Sequence, residues 1–215
     1  ITALKFCHFS VSNDMTRGAL TCIHVNKDEV ESCDNSRLTR YKIDKQVASV
    51  PLLIESTAAA ALCKYTPIKV GVDTAWIHFK MESGVVFSCR MQEGEYPNTN
   101  FIVDLPDGMP IVFPTITESV LDRASTLAEI DLTGDRVVSV EINESEMKIT
   151  GKGPVGEIEE VVRIRSSGHY KFESNPECLQ EILTHLRTAE VAKDGSKLKF
   201  IGDNFIHVLA LQGVE

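Results

Sequence analysis

The sequence has no long apolar run, no close pair of cysteines and no excess of basic residues. No stretch approaches the roughly 20 apolar residues that a helix needs to cross a bilayer, and residues 1–9 lack the charged start and apolar centre of a secretory signal. The six cysteines are scattered, which disfavours a zinc knuckle or a redox pair. We therefore expect a cytoplasmic protein whose reduced thiols serve as small core residues.

The charge balance also restricts the possible functions. The net charge is −9, which argues against the simple wrapping of nucleic acid by a basic protein. It remains compatible with a locally positive surface on an acidic body, as in a ring or channel. Hydrophobic residues make up 43% of the 215 positions, which is enough for the cores of two domains.

A supersecondary unit recurs along the chain, in which an apolar strand is followed by one short helix and then by two or three alternating strands. The pattern predicts elements at 50–54, 58–64, 68–72, 76–81 and 85–91, then at 109–113, 117–127, 136–142, 146–150 and 157–165, and finally at 170–173, 175–187, 197–201 and 205–211. Residues 18–25 and 29–43 resemble the later strands of a further copy. Residues 1–9 resemble the end of a helix, so we expect the chain to be a fragment.

Pairing these copies predicts two domains, 1–103 and 104–215, joined by a connector at 105–108. Each domain would place two helices on one face of antiparallel sheets, because a single copy is too small to bury its own apolar face. The fold class is therefore α+β, with tandem pseudo-symmetric domains. The first domain would lack its opening strand and most of its first helix, and the second would lack its last strand.

The sequence shows no recognised catalytic, cofactor-binding or metal-binding spacing. His24, His78 and His207 each lie in a predicted strand, where a histidine on a strand face is more common than a metal ligand. The glycine-rich stretch 151–156 lacks the Lys-Ser/Thr ending and the following helix of a phosphate-binding loop. We interpret it as a hairpin loop and predict no enzyme activity, no cofactor and no metal.

Two stretches are less easily explained as ordinary turns, and they resemble motifs of one family. Residues 33–38 read Cys-Asp-Asn-Ser-Arg-Leu, and residues 94–99 read Gly-Glu-Tyr-Pro-Asn-Thr. They are similar to the Thr-Asp-Gly-His-Arg-Leu and Gly-Arg/Glu-Phe/Tyr-Pro-Asp-Tyr elements of the bacterial DNA sliding clamp, the beta subunit of the DNA polymerase III holoenzyme. The strand 147–150, followed by Pro154 and the pair Glu159 and Glu160, is similar to a third element of that family.

The resemblance implies the second and third domains of a three-domain clamp fold. Members of the family form head-to-tail homodimeric rings in which helices line the inner face and double-stranded DNA passes through without sequence-specific contact. The implied function is DNA replication as a non-catalytic processivity factor. The implied partners are DNA polymerase, clamp-loader subunits and repair proteins, which bind through short linear peptides, with no membrane partner.

The resemblance also implies site residues by position. The partner-peptide cleft would contain Thr16, Asn35, Ser36, Arg37, Leu38, Pro97, Phe101, Ile102, Asp135, Asn175, Phe205 and His207. Arg37 would form a polar rim, and an apolar socket for the peptide would be formed by Leu38, Pro97, Phe101 and Ile102. The DNA-facing residues would be Asn13, Asp14, Met15, Lys64, Arg123 and Arg187.

The chain departs from the family pattern at several of these positions. Ser36 replaces the usual histidine, Phe101 stands where a basic residue is common, and Asp135 stands where an aromatic residue is often found. The Met-Pro-Met-Arg-Leu strand at the C-terminus of the family has no counterpart before Glu215. These departures are typical of a divergent clamp.

Two other functions are open at this point. The same repeat of helices and sheets could form a small-molecule enzyme or ligand-binding domain, in which histidines or cysteines converge only in three dimensions. It could also form a clamp-like accessory protein that has kept the peptide cleft but does not close a ring.

Overall fold

Alternating apolar residues form antiparallel sheets in both halves of the chain. The computed structural model describes residues 1–105, 108–131, 134–166 and 168–213. The chain divides into two units, the first containing Ile1–Phe101 and Asp203–Ile206, and the second containing Ile102–Gly202 and the segment from His207 onward. None of the described helices combines the length and hydropathy of a membrane span.

The first unit contains two short helices and two antiparallel sheets. Its elements are α1 (Thr2–Cys7), β1 (Cys22–Asn26), β2 (Glu29–Cys33), β3 (Arg37–Lys42), β4 (Leu52–Glu55), α2 (Ser56–Leu62), β5 (Pro67–Val72), β6 (Trp76–Met81) and β7 (Val86–Arg90). The strands pair in the orders β4-β1-β2-β3 and β5-β6-β7. α1 packs on β2 and β3, and α2 packs on β1 and β4.

The core of the first unit contains residues from both helices and both sheets. Leu4 and Cys7 of α1 and Leu62 of α2 are buried together with Ile77 and Phe79 of β6. β6 shows the origin of this packing, because successive side chains of a strand point to opposite faces. Its alternate apolar residues enter the core, and its polar residues face outward.

The second unit contains a more complete set of the same elements. They are β8 (Met109–Val112), α4 (Thr117–Ser125), β9 (Val138–Ile142), β10 (Glu146–Gly153), β11 (Gly156–Arg163), β12 (Tyr170–Ser174), α5 (Pro176–Leu183), β13 (Thr188–Val191), β14 (Lys197–Ile201), β15 (Phe205–Ala210) and β16 (Gln212–Gly213), while the short helix α3 (Asn100–Val103) lies at the division between the units. The strands pair in the orders β11-β10-β9-β12-β16 and β15-β14-β13-β8. α4 and α5 pack against each other.

The predicted repeat is confirmed. The second unit has the order β8, α4, β9 to β11, β12, α5 and β13 to β15, and the first unit has the same order from α1 to β7. The helices also match in their buried positions, because Ala3, Leu4 and Cys7 have the same spacing as Val120, Leu121 and Ala124. The histidines His24, His78 and His207 lie in strands, as predicted.

The hairpin predicted at 151–156 is confirmed, but its loop is shorter than predicted. β10 continues to Gly153 and β11 begins at Gly156, so that only Pro154 and Val155 form the turn. The physical reason is the close approach of α4, since a Cβ atom on Gly151 would lie 1.8 Å from the carbonyl oxygen of Ala124. The glycine therefore allows the strand to pass under the helix.

Several predicted boundaries are also wrong at helix ends. The helix predicted at 175–187 ends at Leu183, and Thr188–Val191 forms β13, for which we predicted no strand. β13 is only four residues long, and its pairing with β8 is a long-range contact. The helices predicted at 58–64 and 117–127 are α2 and α4, which end earlier at Leu62 and Ser125. In the predicted connector, Pro106 and Asp107 lie outside the described residues.

Candidate functional site

The turn between β2 and β3 forms a fixed polar corner in the first unit. Asp34 accepts hydrogen bonds from the backbone N–H groups of Ser36 (2.8 Å) and Arg37 (2.9 Å). Its second oxygen accepts from Nε of Arg37 at 3.0 Å, and the guanidinium lies 5.6 Å from the ring centroid of Phe9. The ion pair and the aromatic ring therefore hold Arg37 in one position.

The 3₁₀-helix that begins at Met15, with Asp14 as its N-cap, is attached to the same corner. Asp14 accepts from the backbone and the hydroxyl of Thr16 at 2.9 and 2.6 Å, and these bonds lower the pKa of its carboxyl group. Arg17 bonds Asp14 at 3.2 Å and also donates to the side-chain oxygen of Asn35. The structure thus brings the predicted cleft residues Thr16, Asn35 and Arg37 together on one edge of the unit, next to the exposed Met15.

A buried polar cluster attaches the segment 95–100 to the first sheet. The hydroxyl of Thr99 donates to Glu31 at 2.7 Å and accepts from Arg40 at 2.7 Å. Glu31 also accepts from Arg40 at 3.1 Å and pairs with Nδ1 of His24 at 2.9 Å. We call Glu31, His24, Arg40 and Thr99 the Glu31 cluster.

The electrostatics of the Glu31 cluster favour the ionised carboxylate. Burial alone would raise the pKa of Glu31, but the hydrogen bonds from His24 and Thr99 and the positive charge of Arg40 outweigh it and lower the pKa. The ring of Tyr96 stacks on His24 with centroids 4.6 Å apart, and its hydroxyl donates to Sγ of Cys33 at 3.3 Å. The segment 95–100 is thus held at Tyr96 by the ring of His24 and at Thr99 by Glu31.

This attachment leaves apolar side chains exposed at the end of the segment. Pro97 is exposed, and Phe101, two positions after Thr99, is 71% exposed. Large exposed aromatic residues are common in sites of protein contact. Among the other predicted cleft residues of this unit, Leu38 is buried in the core, and the Phe205 ring lies 4.2 Å from that of Phe6.

The predicted cleft residues of the second unit have structural roles. Asn175 is the N-cap of α5, and its side chain accepts from the backbone N–H groups of Glu177 (2.9 Å) and Cys178 (3.2 Å). His207 is fully buried near Phe200, whereas Ile102 and Asp135 are half-buried.

The predicted DNA-facing cations differ in their surroundings. Arg123 forms a two-bond ion pair with Glu160 at 2.5 and 2.7 Å, and Arg187 bonds Glu118 and the carbonyl oxygen of Pro114. Lys64 is exposed at the end of α2. The charges of Arg123 and Arg187 are therefore balanced by carboxylates within the same unit.

Sequence reasoning missed Lys5, an exposed cation on α1. Lys5 lies on α1, which packs against α2, and its charge opposes the rise that burial causes in the pKa of Cys63, just after α2. The pair Lys5 and Lys64 gives the helices of the first unit a basic surface. The helical spacing from the buried residues Leu4 and Cys7 could have identified Lys5 as an outward residue.

Two features bear on enzyme chemistry. His78 pairs with Ser88 at 2.8 Å and with Asp73 at 3.1 Å, but this trio lies on a solvent-exposed face of β6 and β7, where water screens its charges. A cleft of about 840 Å³ is lined by His24, Arg90, Glu93 and Tyr96, among others, and its histidine is already engaged by Glu31. The described residues contain no group of three His, Cys, Asp or Glu side chains placed to hold a metal ion.

The chain has the fold of bacterial sliding clamps. It matches the beta subunit of DNA polymerase from Streptococcus pyogenes with a TM-score of 0.84 and 19% identity. It matches a DNA polymerase sliding clamp from Pseudomonas aeruginosa at 0.82 and 14%, and a DnaN sliding clamp (DNA polymerase III subunit beta) from Bartonella birtlesii, bound to griselimycin, at 0.83 and 18%.

Each of these matches covers 99% of this chain and 63% of the other chain. The chain therefore spans less than two thirds of the length of the clamps it resembles. At these identities the similarity establishes the fold, and it confirms the predicted clamp-type α+β class. No protein-family model matches the chain, and no curated protein matches its sequence.

Proposed function

We propose that this chain is part of a DNA sliding clamp, a non-catalytic processivity factor that encircles double-stranded DNA and binds linear peptides of its partners. The observation that carries the proposal is the match to bacterial clamps over 99% of the chain. The proposal includes a homodimeric ring in the cytoplasm, clamp-type domains at 1–103 and 104–215, and polymerase and clamp-loader subunits as partners.

The charge distribution suits a topological mechanism. A closed ring is held by its linkage to DNA and does not need the dense phosphate contacts of a basic DNA-binding protein. The net charge of −9 would weaken static binding, and the basic pair Lys5 and Lys64 would supply the mobile phosphate contacts. Arg123 and Arg187, already paired with carboxylates, would contribute less.

The first unit supplies a surface suited to a short peptide. Phe101 and Pro97 offer apolar contact, while Arg37 and Asn35 offer polar groups whose positions are set by the bonds to Asp34 and Arg17. A preorganised surface of this kind reduces the entropy lost on binding.

The test is topological retention. The full-length protein is loaded onto nicked circular DNA with its clamp loader, washed at high salt and then exposed to a restriction enzyme that linearises the DNA. A clamp stays on the circle and is released after linearisation, and blocking both DNA ends restores retention. Equal loss from circular and linear DNA would overturn the proposal, because bound protein would then be held only by electrostatic contact.

A further inference from the structure

The outer side of the sheet β5-β6-β7 carries exposed cations and an exposed tryptophan. Trp76, His78 and Lys80 alternate along β6 with buried apolar residues, so they point away from the core to which α1 and α2 contribute. The strand register adds two outward residues from the neighbouring strands, because Lys69 lies opposite Lys80 and Arg90 lies opposite Trp76. We call Lys69, Trp76, His78, Lys80 and Arg90 the basic face.

Lys69 and Lys80 form a cross-strand pair of like charges, which is destabilising when the two side chains share one face of a sheet. Lysines of other described strands lie opposite glutamates, as in the pairs Lys42 and Glu29, Lys152 and Glu157, and Lys199 and Glu190. Asp73, in the turn between β5 and β6, pairs with His78 at 3.1 Å. Within the part of the chain that the structure describes, no carboxylate forms an ion pair with Lys69, Lys80 or Arg90. An anionic partner would relieve the repulsion between the two lysines.

Trp76 gives the basic face an aromatic surface. It is 39% exposed, and the guanidinium of Arg90 lies 5.6 Å from the centroid of its ring. Proteins that bind single-stranded nucleic acid combine cations for the phosphates with aromatic rings on which bases stack, and arginine adds cation–π contacts. The carboxylates of an acidic protein segment would be attracted by the lysines but not by the indole ring, since the face of an aromatic ring is itself negative. The combination therefore favours a nucleic acid over an acidic protein.

The middle of the basic face is low and polar. A Cβ atom added to Gly71, opposite His78, would meet no heavy atom within 4 Å. Ser88, on the other side of His78, is small and exposed. Along β6, the distance from Trp76 to Lys80 is about 13 Å. The face thus offers a shallow path between the tryptophan ring and the two lysines, along which a short stretch of a single strand can lie.

We propose that the basic face binds single-stranded nucleic acid, with a base stacked on Trp76 and phosphates at Lys69 and Lys80. A base within a duplex is already paired and stacked on its neighbours, and freeing it costs energy, so the face discriminates against double-stranded DNA. The face also points away from the core that α1 and α2 share, and is thus separate from Lys5 and Lys64. Binding here does not require a closed ring and does not depend on the function proposed above.

Trp76 is the single tryptophan of the chain, so its fluorescence reports directly on this face. Titration of the protein with an oligodeoxythymidine of about 12 nucleotides should quench the fluorescence along a saturable curve. A duplex of the same length should bind about tenfold more weakly, because its bases are not free to stack on the indole ring.

The double variant Lys69→Ala and Lys80→Ala tests the phosphate contacts. We expect it to bind the oligonucleotide about tenfold more weakly at low salt. The slope of log affinity against log salt concentration should become shallower by about 1.4, because each phosphate contact with a single strand contributes about 0.7. The matched control is Lys152→Ala with Lys171→Ala, which removes two exposed strand lysines that lie opposite glutamates in the second unit. The control should keep the slope of the wild type.

Trp76→Ala tests the stacking contact, with fluorescence anisotropy of a fluorescein-labelled oligonucleotide as the measurement. We expect binding to weaken by about tenfold. Trp76→Phe keeps an aromatic ring and should retain most of the affinity. Circular dichroism checks that both variants are folded.

The proposal would be overturned if the oligonucleotide produced no saturable quenching, or if the duplex bound equally well. Equal weakening in the two lysine double variants would also overturn it, since net charge alone would then be responsible. Quenching by a polyglutamate peptide with the same affinity would make an acidic protein segment the occupant instead. In each case retention on circular DNA could still be observed, so failure of this proposal and failure of the proposed clamp function are distinguishable.

Discussion

Glu31 is the carboxylate that connects the segment 95–100 to the first sheet. Its side chain is almost fully enclosed, and it bonds Thr99, Arg40 and His24 at distances of 2.7 to 3.1 Å. Removing one member of such a cluster leaves the others buried without their partner. The folding free energy lost in this way is larger than the net contribution of a single hydrogen bond. Glu31 therefore holds in place the segment that leads to Phe101.

We expect Glu31→Gln to lower the free energy of unfolding by about 2 kcal/mol, because the charge opposite Arg40 and His24 is lost. The matched control is Glu29→Gln, which removes an exposed carboxylate 3.9 Å from Arg40 and should cost less than about 0.5 kcal/mol. Urea unfolding followed by circular dichroism measures both changes. Equal stabilities of the two variants would contradict this role of the Glu31 cluster.

The same residue predicts a dependence on pH. The pKa of Glu31 lies below its usual value of 4.5 in the folded protein, so its contribution to stability is present above about pH 4.5 and is lost as the pH falls through the folded-state pKa. The stability difference between the wild type and Glu31→Gln should therefore be constant near neutral pH and shrink in acid. Urea unfolding from pH 7 to pH 3 tests this, and a difference that grows in acid would contradict it.

Phe101 provides a test of the proposed peptide surface. We expect Phe101→Ala to weaken binding of a clamp-binding peptide from the polymerase of the same organism by about tenfold, since exposed aromatic anchors often dominate such interfaces. Val155→Ala removes an exposed apolar side chain in the turn between β10 and β11 and should leave the affinity unchanged. Fluorescence anisotropy measures both affinities. Equal weakening, or none, would exclude Phe101 as an anchor.

At the level of elements, the contact between α4 and β10 shows how a glycine determines packing. Gly151 lies under the carbonyl of Ala124. A Cβ atom added to Gly153 would lie 2.5 Å from the carbonyl oxygen of Leu127. The helix can approach the strand only because these two positions lack side chains. This explains the glycine pattern at 151–156 as a packing feature of the hairpin.

We expect Gly151→Ala to destabilise the protein by about 2 to 3 kcal/mol, because the added methyl group must displace backbone and not a flexible side chain. Gly156→Ala is the matched control. Its Cβ atom would meet Leu127 at 3.6 Å, an ordinary contact, so the change should stay within about 0.5 kcal/mol. Thermal unfolding of both variants decides the question, and a fully stable Gly151→Ala would show that α4 is free to shift.

At the level of the whole molecule, charge is distributed unevenly within an acidic chain. The first unit has the exposed cations Lys5 on α1 and Lys64 just after α2, while the second unit has exposed Asp122, Glu177 and Glu181 on its helices and the paired Arg123 and Arg187. In the proposed clamp, the first unit would therefore make most of the phosphate contacts. Loading on DNA would depend on salt more strongly than retention of the closed ring.

We expect the double variant Lys5→Glu and Lys64→Glu to weaken initial association with DNA by about tenfold at low salt, with little effect on retention once the ring is closed. The control is Lys69→Glu with Lys80→Glu, which makes the same change in net charge at two paired positions on β5 and β6. Loading rates on nicked circles at two salt concentrations measure the difference. Equal slowing in both variants would mean that net charge alone is responsible.

Much of the fold could be predicted from local patterns. The alternation in β6 predicted both of its ends, because the apolar residues Ile77, Phe79 and Met81 occupy one face and Trp76, His78 and Lys80 occupy the other. β13 was missed because four residues carry little periodic signal, and its identity as a strand depends on pairing with β8, about 80 positions earlier along the chain. The end of α5 was misplaced for the same reason, since the predicted helix continued into residues that lead to β13.

The candidate site was harder to predict from the sequence. The turn at 33–38 and the segment at 95–100 were both identified, but the bonds that hold them near each other, from Thr99 to Glu31 and from Tyr96 to Cys33, span 68 and 63 positions. The pairing of Arg187 with Glu118 spans 69 positions and changes how that arginine can act. The local sequence around each of these residues contains no pattern that indicates its distant partner.

The order of strands, helices and turns follows from periodicity and turn chemistry, which act over a few neighbouring residues and are visible in the amino-acid letters. The burial of Glu31, the neutralisation of Arg123 and Arg187 and the exposure of Phe101 follow from which distant segments meet. That choice is made when the whole chain buries its apolar surface at once, because hydrophobic burial has no direction and specifies partners only through the packed geometry.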